Sequence, residues 1–284
     1  LIFLGQVEDE NGLTIIGGTV KAESATISSD PNGFLMLKNA SALSSLGYVQ
    51  VEKEGYFIGS RSFLPTQGAA NVRIRLLKKV QTGALSSITG GTVNHSSGVE
   101  LMLEPGSVSK NVATYSGNVK VFLQSIDPTT ADFESRMPGN LIAMEGSQTR
   151  GLKSFGMMSA ELQDDAGQEL QIAAGKKAHV KFPIPTELQA AAADSIDLWS
   201  FDQEKGYWKK EGRAGKEGNF YHAHVGHFSF WNCDVSYNFI ELKGRILFNE
   251  FPLPNAMVTI ISTSMGSAST VTDDMEVLYP RTRP

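Results

Sequence analysis

The sequence predicts an all-β protein built from tandem antiparallel β-sandwich domains with little helix, and three observations predict it. Short runs alternate apolar and polar residues, and turn residues interrupt them every ~8–12 positions. Twenty-eight glycines among 284 residues supply those turns. Helical periodicity is nearly missing. A hydrophobic content of 41% is enough for packed cores and excludes wholesale disorder.

The alternation is explicit in Val49-Gln50-Val51-Glu52-Lys53, followed by a second segment, Gly55-Tyr56-Phe57-Ile58. Val72-Arg73-Ile74-Arg75-Leu76 puts its aliphatic residues on one face and both arginines on the other. Between Pro185 and Asp194, Glu187-Leu188-Gln189-Ala190-Ala191-Ala192-Ala193 has helix propensity for about two turns at most. Residues 40–46, closed by Gly47, are a second short helical candidate.

Composition changes after Leu76-Leu77, where Lys78-Lys79 leads into the small polar stretch 81–87, which reads as a linker or crossing strand. It changes again near Asp234-Val235-Ser236-Tyr237-Asn238. The expected units are therefore a β-sandwich over residues 1–78, a larger β-rich middle domain over 79–237 and a partial β domain over 238–284. All three tryptophans (Trp199, Trp208, Trp231) fall in the middle unit and predict an aromatic-centred core there. The chain starts at Leu1 rather than Met and ends in an aperiodic stretch, so it reads as a piece of something longer.

There is an internal echo. Leu4-Gly5-Gln6-Val7, a turn, Gly18-Thr19-Val20-Lys21-Ala22 and then Ser29-Asp30-Pro31-Asn32-Gly33-Phe34 match a later series. That series is Leu242-Lys243-Gly244-Arg245-Ile246, a turn, Met257-Val258-Thr259-Ile260 and then Thr272-Asp273-Asp274. The last segment thus predicts the first half of a domain like the first one. Its uncovered apolar faces predict packing on the middle domain or poor order.

Gly5-x-Val7, the turn into Gly18-x-Val20, Asp30-x-Asn32-Gly33-Phe34 and Gly55-Tyr56 together resemble the carboxypeptidase regulatory-like domain, a small transthyretin-type (prealbumin- or immunoglobulin-like) β-sandwich. The resemblance covers residues 1–78 and, in part, 240–284, where Asp273-Asp274-Met275-Glu276 lacks the Asn-Gly and aromatic positions. It implies that Asp30 and Asn32 bond the turn backbone, that Gly33 takes positive φ and that Phe34 enters the core. It also implies a non-catalytic role. The middle segment resembles the β-domain of astroprincin-like and cartilage intermediate layer-like extracellular proteins. The positions that carry this are Leu103-Glu104-Pro105-Gly106-Ser107, Met137-Pro138-Gly139, Leu152-Lys153-Ser154-Phe155-Gly156-Met157, Leu198-Trp199-Ser200-Phe201 and Trp208 with Glu211-Gly212. This resemblance implies a secreted or cell-surface ectodomain.

Charge excludes some partners. Lys+Arg 25 against Asp+Glu 30 leaves −5, which gives no electrostatic reason to expect nucleic acid or an anionic membrane. No apolar run reaches the ~20 residues of a membrane-crossing helix, so no transmembrane segment is expected. The single cysteine, Cys233, excludes an internal disulfide and a multi-cysteine metal site. A Gly-, Ser- and Thr-rich chain nearly free of cysteine leans towards an extracellular, periplasmic or cell-surface location.

The sharpest chemical constellation is His222-Ala223-His224-Val225-Gly226-His227. On an extended strand His222 and His224 share a face and could present two imidazoles to zinc, whereas His227 falls on the other face unless Gly226 bulges. The favoured reading leaves His222 and His224 on the outer face without metal, and His227 in the core or at a corner. Acidic runs at Glu8-Asp9-Glu10, Asp164-Asp165 and Asp273-Asp274 read as turns rather than calcium sites, because none has a spaced ligand loop. No nucleophile elbow, His-Glu-x-x-His, phosphate-binding loop or dinucleotide fingerprint occurs. Cys233 follows Trp-Asn in an expected strand and reads as a small buried thiol. Trp199, Tyr207 and Trp208 flank the turn 202–206 and are candidate contacts for a sugar ring, although burial of the aromatics is the favoured reading.

The leading expectation is a non-catalytic extracellular or cell-envelope scaffold, adhesion or binding module. It needs no cofactor and meets a protein or glycan at the cell surface. The main alternative is an accessory region of a larger secreted hydrolase, positioning substrate or binding carbohydrate.

Overall fold

A computed structural model describes residues 2–22, 25–38, 46–63, 69–238, 240–241, 244–254, 256–262, 266–272 and 281–282. Within the first segment, alternation sorts side chains between two sheets. Ile2–Asp9 is the centre of a three-stranded sheet, antiparallel to Phe34–Lys38 and parallel to Ala69–Leu76. A four-stranded antiparallel sheet runs Ala25–Ser28, Thr19–Ala22, Gly47–Glu52, Gly59–Phe63. Val7, Val20, Leu35, Val49, Val51, Ile74 and Leu76 meet in one core, the arrangement of a β-sandwich. The parallel pair departs from an all-antiparallel expectation; the long connection between its strands makes that direction possible.

The Asp30 turn is built as the sequence implies. Asp30 Oδ1 accepts the N–H groups of Asn32 and Phe34, both at 2.8 Å. Gly33 has φ +72°, and a Cβ there would lie 2.6 Å from the Val7 carbonyl oxygen, so only glycine fits. The expectation for Phe34 fails. Its side chain is 54% exposed, while Leu35 is 4% exposed. Side chains alternate strictly along the strand, and the turn delivers Phe34 to the outward position, leaving the inward one to Leu35.

Residues 81–238 form one branched 14-stranded sheet that folds over itself. The stretch expected as a linker or crossing strand is the strand Gln81–Ser86, paired with Asn118–Ile126. The longest strand, Gln148–Gln163, pairs with Asn118–Ile126, Ile142–Glu145, Glu169–Ile172 and Phe230–Asn238. Ser195–Asp202 lies on the far side of Phe230–Asn238. These three strands, 148–163, 230–238 and 195–202, form a wall with a core on each side.

On one side Phe155, Met158, Leu162, Leu198, Trp231 and Cys233 pack against Leu101, Val121, Val180, Phe182 and Tyr221. On the other, Leu152, Met157, Trp199, Phe201 and Phe230 pack against Phe122, Ile126, Leu141 and Trp208. A register shift between Ser154 and Met157 adds the residue that puts Phe155 and Met158 on the same face. Polar side chains inside the wall bond one another. Ser154 Oγ donates to Asn232 Oδ1 at 2.6 Å, and Asn232 Nδ2 donates to Asp234 Oδ2 at 2.7 Å.

Helix is scarce. The stretch expected as a two-turn helix is a 3-10 turn, Thr186–Ala191, with no fully buried residue; Leu188 alone of it packs, partly buried, against the core, too little apolar contact to extend a helix. Phe133–Arg136 is a short helical turn that sequence pattern did not signal; Phe133 anchors it. Residues 40–45, Leu242-Lys243 and Asp273-Asp274 lie outside the described residues, as does much of the closing half of the second copy.

What is described of the echo repeats in hydrogen bonds. Ser29 Oγ donates to Ile15 O and accepts Gly18 N–H, and Ser29 N–H donates to Gly18 O. Thr272 Oγ1 donates to Leu253 O and accepts Ala256 N–H, and Thr272 N–H donates to Ala256 O. The same hydroxyl clasp therefore closes the turn before the hairpin Thr19–Ala22/Ala25–Ser28 and the one before Met257–Ser262/Gly266–Val271.

Trp231 is 1% exposed and its Nε1 donates to His227 O at 3.2 Å. Trp231→Ala is expected to cost about 3–5 kcal/mol, measured by urea denaturation. A loss under about 1 kcal/mol contradicts the two-sided wall.

Candidate functional site

Two places carry chemistry that the packing alone does not use: an imidazole-rich sheet face, and a polar seam between the first and middle segments.

The face is made by Ala178–Pro183 and Phe220–Val225, which pair antiparallel with His179 opposite His224 and Lys181 opposite His222. Ala178, Val180, Phe182, Tyr221, Ala223 and Val225 turn into the core, so the period of two drives the histidines outward. His222 and His224 share the outer face, as the sequence predicts. The fold adds His179, whose Nε2 lies 3.2 Å from His222 Nδ1. Its ring centroid stands 5.2 Å from that of His222 and 5.3 Å from that of His224. Glu217 Oε2 is 4.0 Å from His222 Nε2. Among the described residues, no three imidazole, thiol or carboxylate groups already stand close enough together to hold a metal ion.

His179 was missed by sequence reasoning. Its strand, Ala178-His179-Val180-Lys181-Phe182, reads as outward-facing at 179, but nothing local says which strand lies beside it. The expectation for His227 needs correcting: its side chain is 44% exposed, Nε2 lies 3.1 Å from the Glu211 carboxylate, and the ring stacks on Trp231 at 4.9 Å. The strand ends at Val225, so His227 follows the turn instead of the sheet's alternation.

The tryptophans are structural. Trp199 and Trp208 are both 0% exposed, and Trp208 Nε1 donates to Asn140 O at 2.9 Å. Neither offers a face to a sugar, so the carbohydrate-platform reading fails for both; Tyr207, half-buried, keeps part of its surface in solvent. The turn between the strands is held by Asp202 Oδ1, which accepts the N–H groups of Glu204 and Lys205.

The two acidic runs among the described residues are built into turns. Asp9 Oδ1 accepts the N–H groups of Asn11 and Leu13, and Glu8 pairs with Arg75 at 2.8 Å. Asp164 pairs with Lys110 at 2.6 Å and accepts Gln168 N–H; these hydrogen bonds, the lysine's first, hold its carboxyl below the usual range. Burial pushes the Cys233 thiol well up and away from nucleophilic use. An open cavity of about 400 Å³ runs between residues 125–129 and 183–187. Its walls include Ser125, Asp127, Thr129 and Glu187 but no imidazole, amine or thiol.

The seam centres on Arg61. Its guanidinium donates to Met137 O at 2.7 Å, to Gly139 O at 3.0 Å and to Glu134 O, all in the middle segment, and its Nε donates to Arg73 O at 3.1 Å. Burial lowers its pKa to about 10, which leaves it cationic at neutral pH. Asn140 Nδ2 donates to Ser62 O, Ser62 Oγ donates to Gly206 O, and Arg75 bridges Glu8 and Asp132. Beneath these, Phe57, Leu77 and Tyr48 of the first segment join the core of Trp199, Phe201 and Trp208. Gly139 and Gly206 line the contact with positive φ; a Cβ at Gly139 would lie 2.6 Å from the Phe201 ring and one at Gly206 2.3 Å from the Tyr48 ring.

Comparison with known proteins finds no family model that matches the chain. In sequence the chain is similar to cartilage intermediate layer protein 2 of Mus musculus, 27% identical over 182 residues. This is 60% of the chain and 15% of the mouse protein, so the chain spans a small part of that relative's length. Solved structures give weak geometric likenesses. A putative membrane-associated protein of unknown function from Bacteroides fragilis aligns with TM-score 0.23 and 8% identity, over 84% of this chain and 98% of that one. BcpA, the major pilin subunit of Bacillus cereus, aligns with TM-score 0.22 and 9% identity, over 99% and 95%. The cartilage intermediate layer-like resemblance thus has a counterpart in a sequence relative of that name. No helix among the described residues is long and apolar enough to cross a membrane.

The histidine face predicts a pH dependence. Burial first, then the neighbouring His222 and His224, hold His179 below its usual pKa, against Glu100 and Glu217; Lys181 also lies on this face. The unfolded chain therefore binds a proton that the folded chain resists. Stability contributed by neutral His179 is complete above the unfolded value of about 6.5 and is lost as pH falls below it. In chelator-containing buffer the melting temperature is expected to drop from pH 7 to pH 5, and His179→Gln to flatten part of that drop. An unchanged pH profile in the variant overturns the assignment.

Proposed function

We propose that this chain is a non-catalytic, extracellular or cell-envelope β-sandwich scaffold in which a regulatory-like unit over residues 1–78 is fused to a larger β domain over 79–237. A partial regulatory-like copy follows over 238–284. The observation that carries this reading is the seam. Domains joined by a mobile linker keep separate cores, whereas here Phe57 and Leu77 share a core with Trp199 and Trp208. Arg61 hydrogen-bonds backbone carbonyls, which turns rigid main chain into the thing recognised. Such a joint fixes the direction in which each unit presents its outer surface, which is what a scaffold or adhesion module requires. The sequence relative, named for a layer of cartilage, supports an extracellular setting. The partner is a protein or glycan at the cell surface.

Differential scanning calorimetry tests the fusion. The chain is expected to unfold residues 1–237 in a single transition. Arg61→Ala, which leaves several carbonyls without a donor, is expected to cost on the order of 2–3 kcal/mol and to split that transition in two. Arg61→Lys recovers only part of it, because an ammonium cannot span the same set of acceptors. Two resolved transitions in the parent protein refute a fused scaffold.

Gly139→Ala meets both a positive φ and the Phe201 ring. It is expected to expose the seam to limited proteolysis while the Gly146→Ala control, at a positive φ with nothing within 4 Å, does not.

A further inference from the structure

Three of the chain's five histidines gather on one outer sheet face. This grouping belongs to neither the cores nor the seam. Two rows cross the strands there. In the first, Met102, His179 and His224 stand in register; in the second, Glu100, Lys181, His222 and Gly215 do.

The two nearest imidazole nitrogens, His179 Nε2 and His222 Nδ1, are 3.2 Å apart. Two nitrogens bound to one tetrahedral zinc at ~2.0–2.1 Å are separated by about 3.3–3.4 Å, so this pair is already set at the edge length of such a site. Approach is open. Gly215 lies directly opposite His222, and a Cβ built on it would meet nothing within 4 Å. The ammonium in these two rows, Lys181, is neutralised by Glu100 at 2.8 Å and lies over the Phe220 ring at 5.0 Å. The far nitrogen of His222 looks towards the exposed Glu217 carboxylate, 4.0 Å away. A carboxylate on the second ring nitrogen is the usual way a metal-binding imidazole is oriented.

We propose that His179 and His222 chelate a late first-row divalent cation such as Zn²⁺. The exposed His224 turns in as a third ligand, Glu217 orients His222, and water completes the shell. Imidazole donors select this class over the hard cations Mg²⁺ and Ca²⁺. In the metal-free protein one of the two facing nitrogens, His179 Nε2 or His222 Nδ1, carries the proton of their hydrogen bond. When the ion arrives, that ring takes its other neutral tautomer, with the proton on the nitrogen away from the metal, so both facing nitrogens offer a lone pair. This goes beyond a scaffold role and stands or falls independently of it.

The test is isothermal titration of the full chain with ZnCl₂ in non-chelating buffer, after stripping with EDTA. One ion per chain is expected. His179→Gln and His222→Gln each lose more than tenfold in affinity, and Glu217→Gln loses about tenfold. His95→Gln and His227→Gln change nothing. Circular dichroism of each stripped variant checks that it folds. A second reading needs no variant: in the ¹⁵N-imidazole spectrum of the parent protein, zinc is expected to shift Nε2 of His179 and Nδ1 of His222 while His95 and His227 stay in place. Absence of stoichiometric binding, affinity retained in the His179→Gln/His222→Gln double variant, or zinc shifts confined to other histidines overturns the proposal.

Discussion

The structure depends on a wall of three adjacent strands, Gln148–Gln163, Phe230–Asn238 and Ser195–Asp202, that is dry on both faces. A two-sided sheet cannot be stable by itself in water, since each face must be covered by another layer. One face is covered by the rest of the middle segment. The other draws in Phe57, Leu77 and Tyr48 from the first segment, so the two segments complete one another's burial. The tryptophans follow from this requirement. Trp199 and Trp231 come from adjacent strands of the wall and fill opposite cores, while Trp208, just beyond Ser195–Asp202, fills the shared one.

A wall of this kind has to accommodate polar groups and irregularity in its interior. The shift between Ser154 and Met157 breaks strict alternation, and the break is where Ser154 meets Asn232. Asn232 passes the chain of hydrogen bonds to Asp234. A bulge creates backbone groups that no neighbouring strand pairs, and buried side-chain amides and hydroxyls are the means of satisfying them without water. The seam uses the same logic at larger scale. Arg61 brings several donors to a set of carbonyls that the meeting of two sheets would otherwise leave dry and unbonded.

Outside the wall the sheet is single-sided, and there the period of two makes surfaces by default. Every inward Val180, Phe182, Tyr221 or Ala223 commits its neighbours to solvent, and on this pair of strands the neighbours include three imidazoles. Local pattern found His222 and His224 because both lie on one strand. It could not find His179, because cross-strand register is set by distant packing and by turn lengths. Phe34 shows a limit of the opposite sort. An aromatic beside a glycine turn looks like a core residue, yet parity along Phe34–Lys38 puts Leu35 inside and Phe34 out. His227 escaped the strand argument because its strand had already ended.

What the sequence determined by itself is the material of the fold: short alternating strands, glycine turns at Asp30 and Asp202, aromatic residues enough for a core, and a repeated unit that reappears as matching hydroxyl clasps at Ser29 and Thr272. These are local matters, decided by neighbours within a few residues. Tertiary structure alone decided which faces would be covered twice, which arginine would hold the seam and which histidine would stand beside His222. Each of those depends on contacts between residues tens of positions apart, and no short-range preference of the chain encodes them.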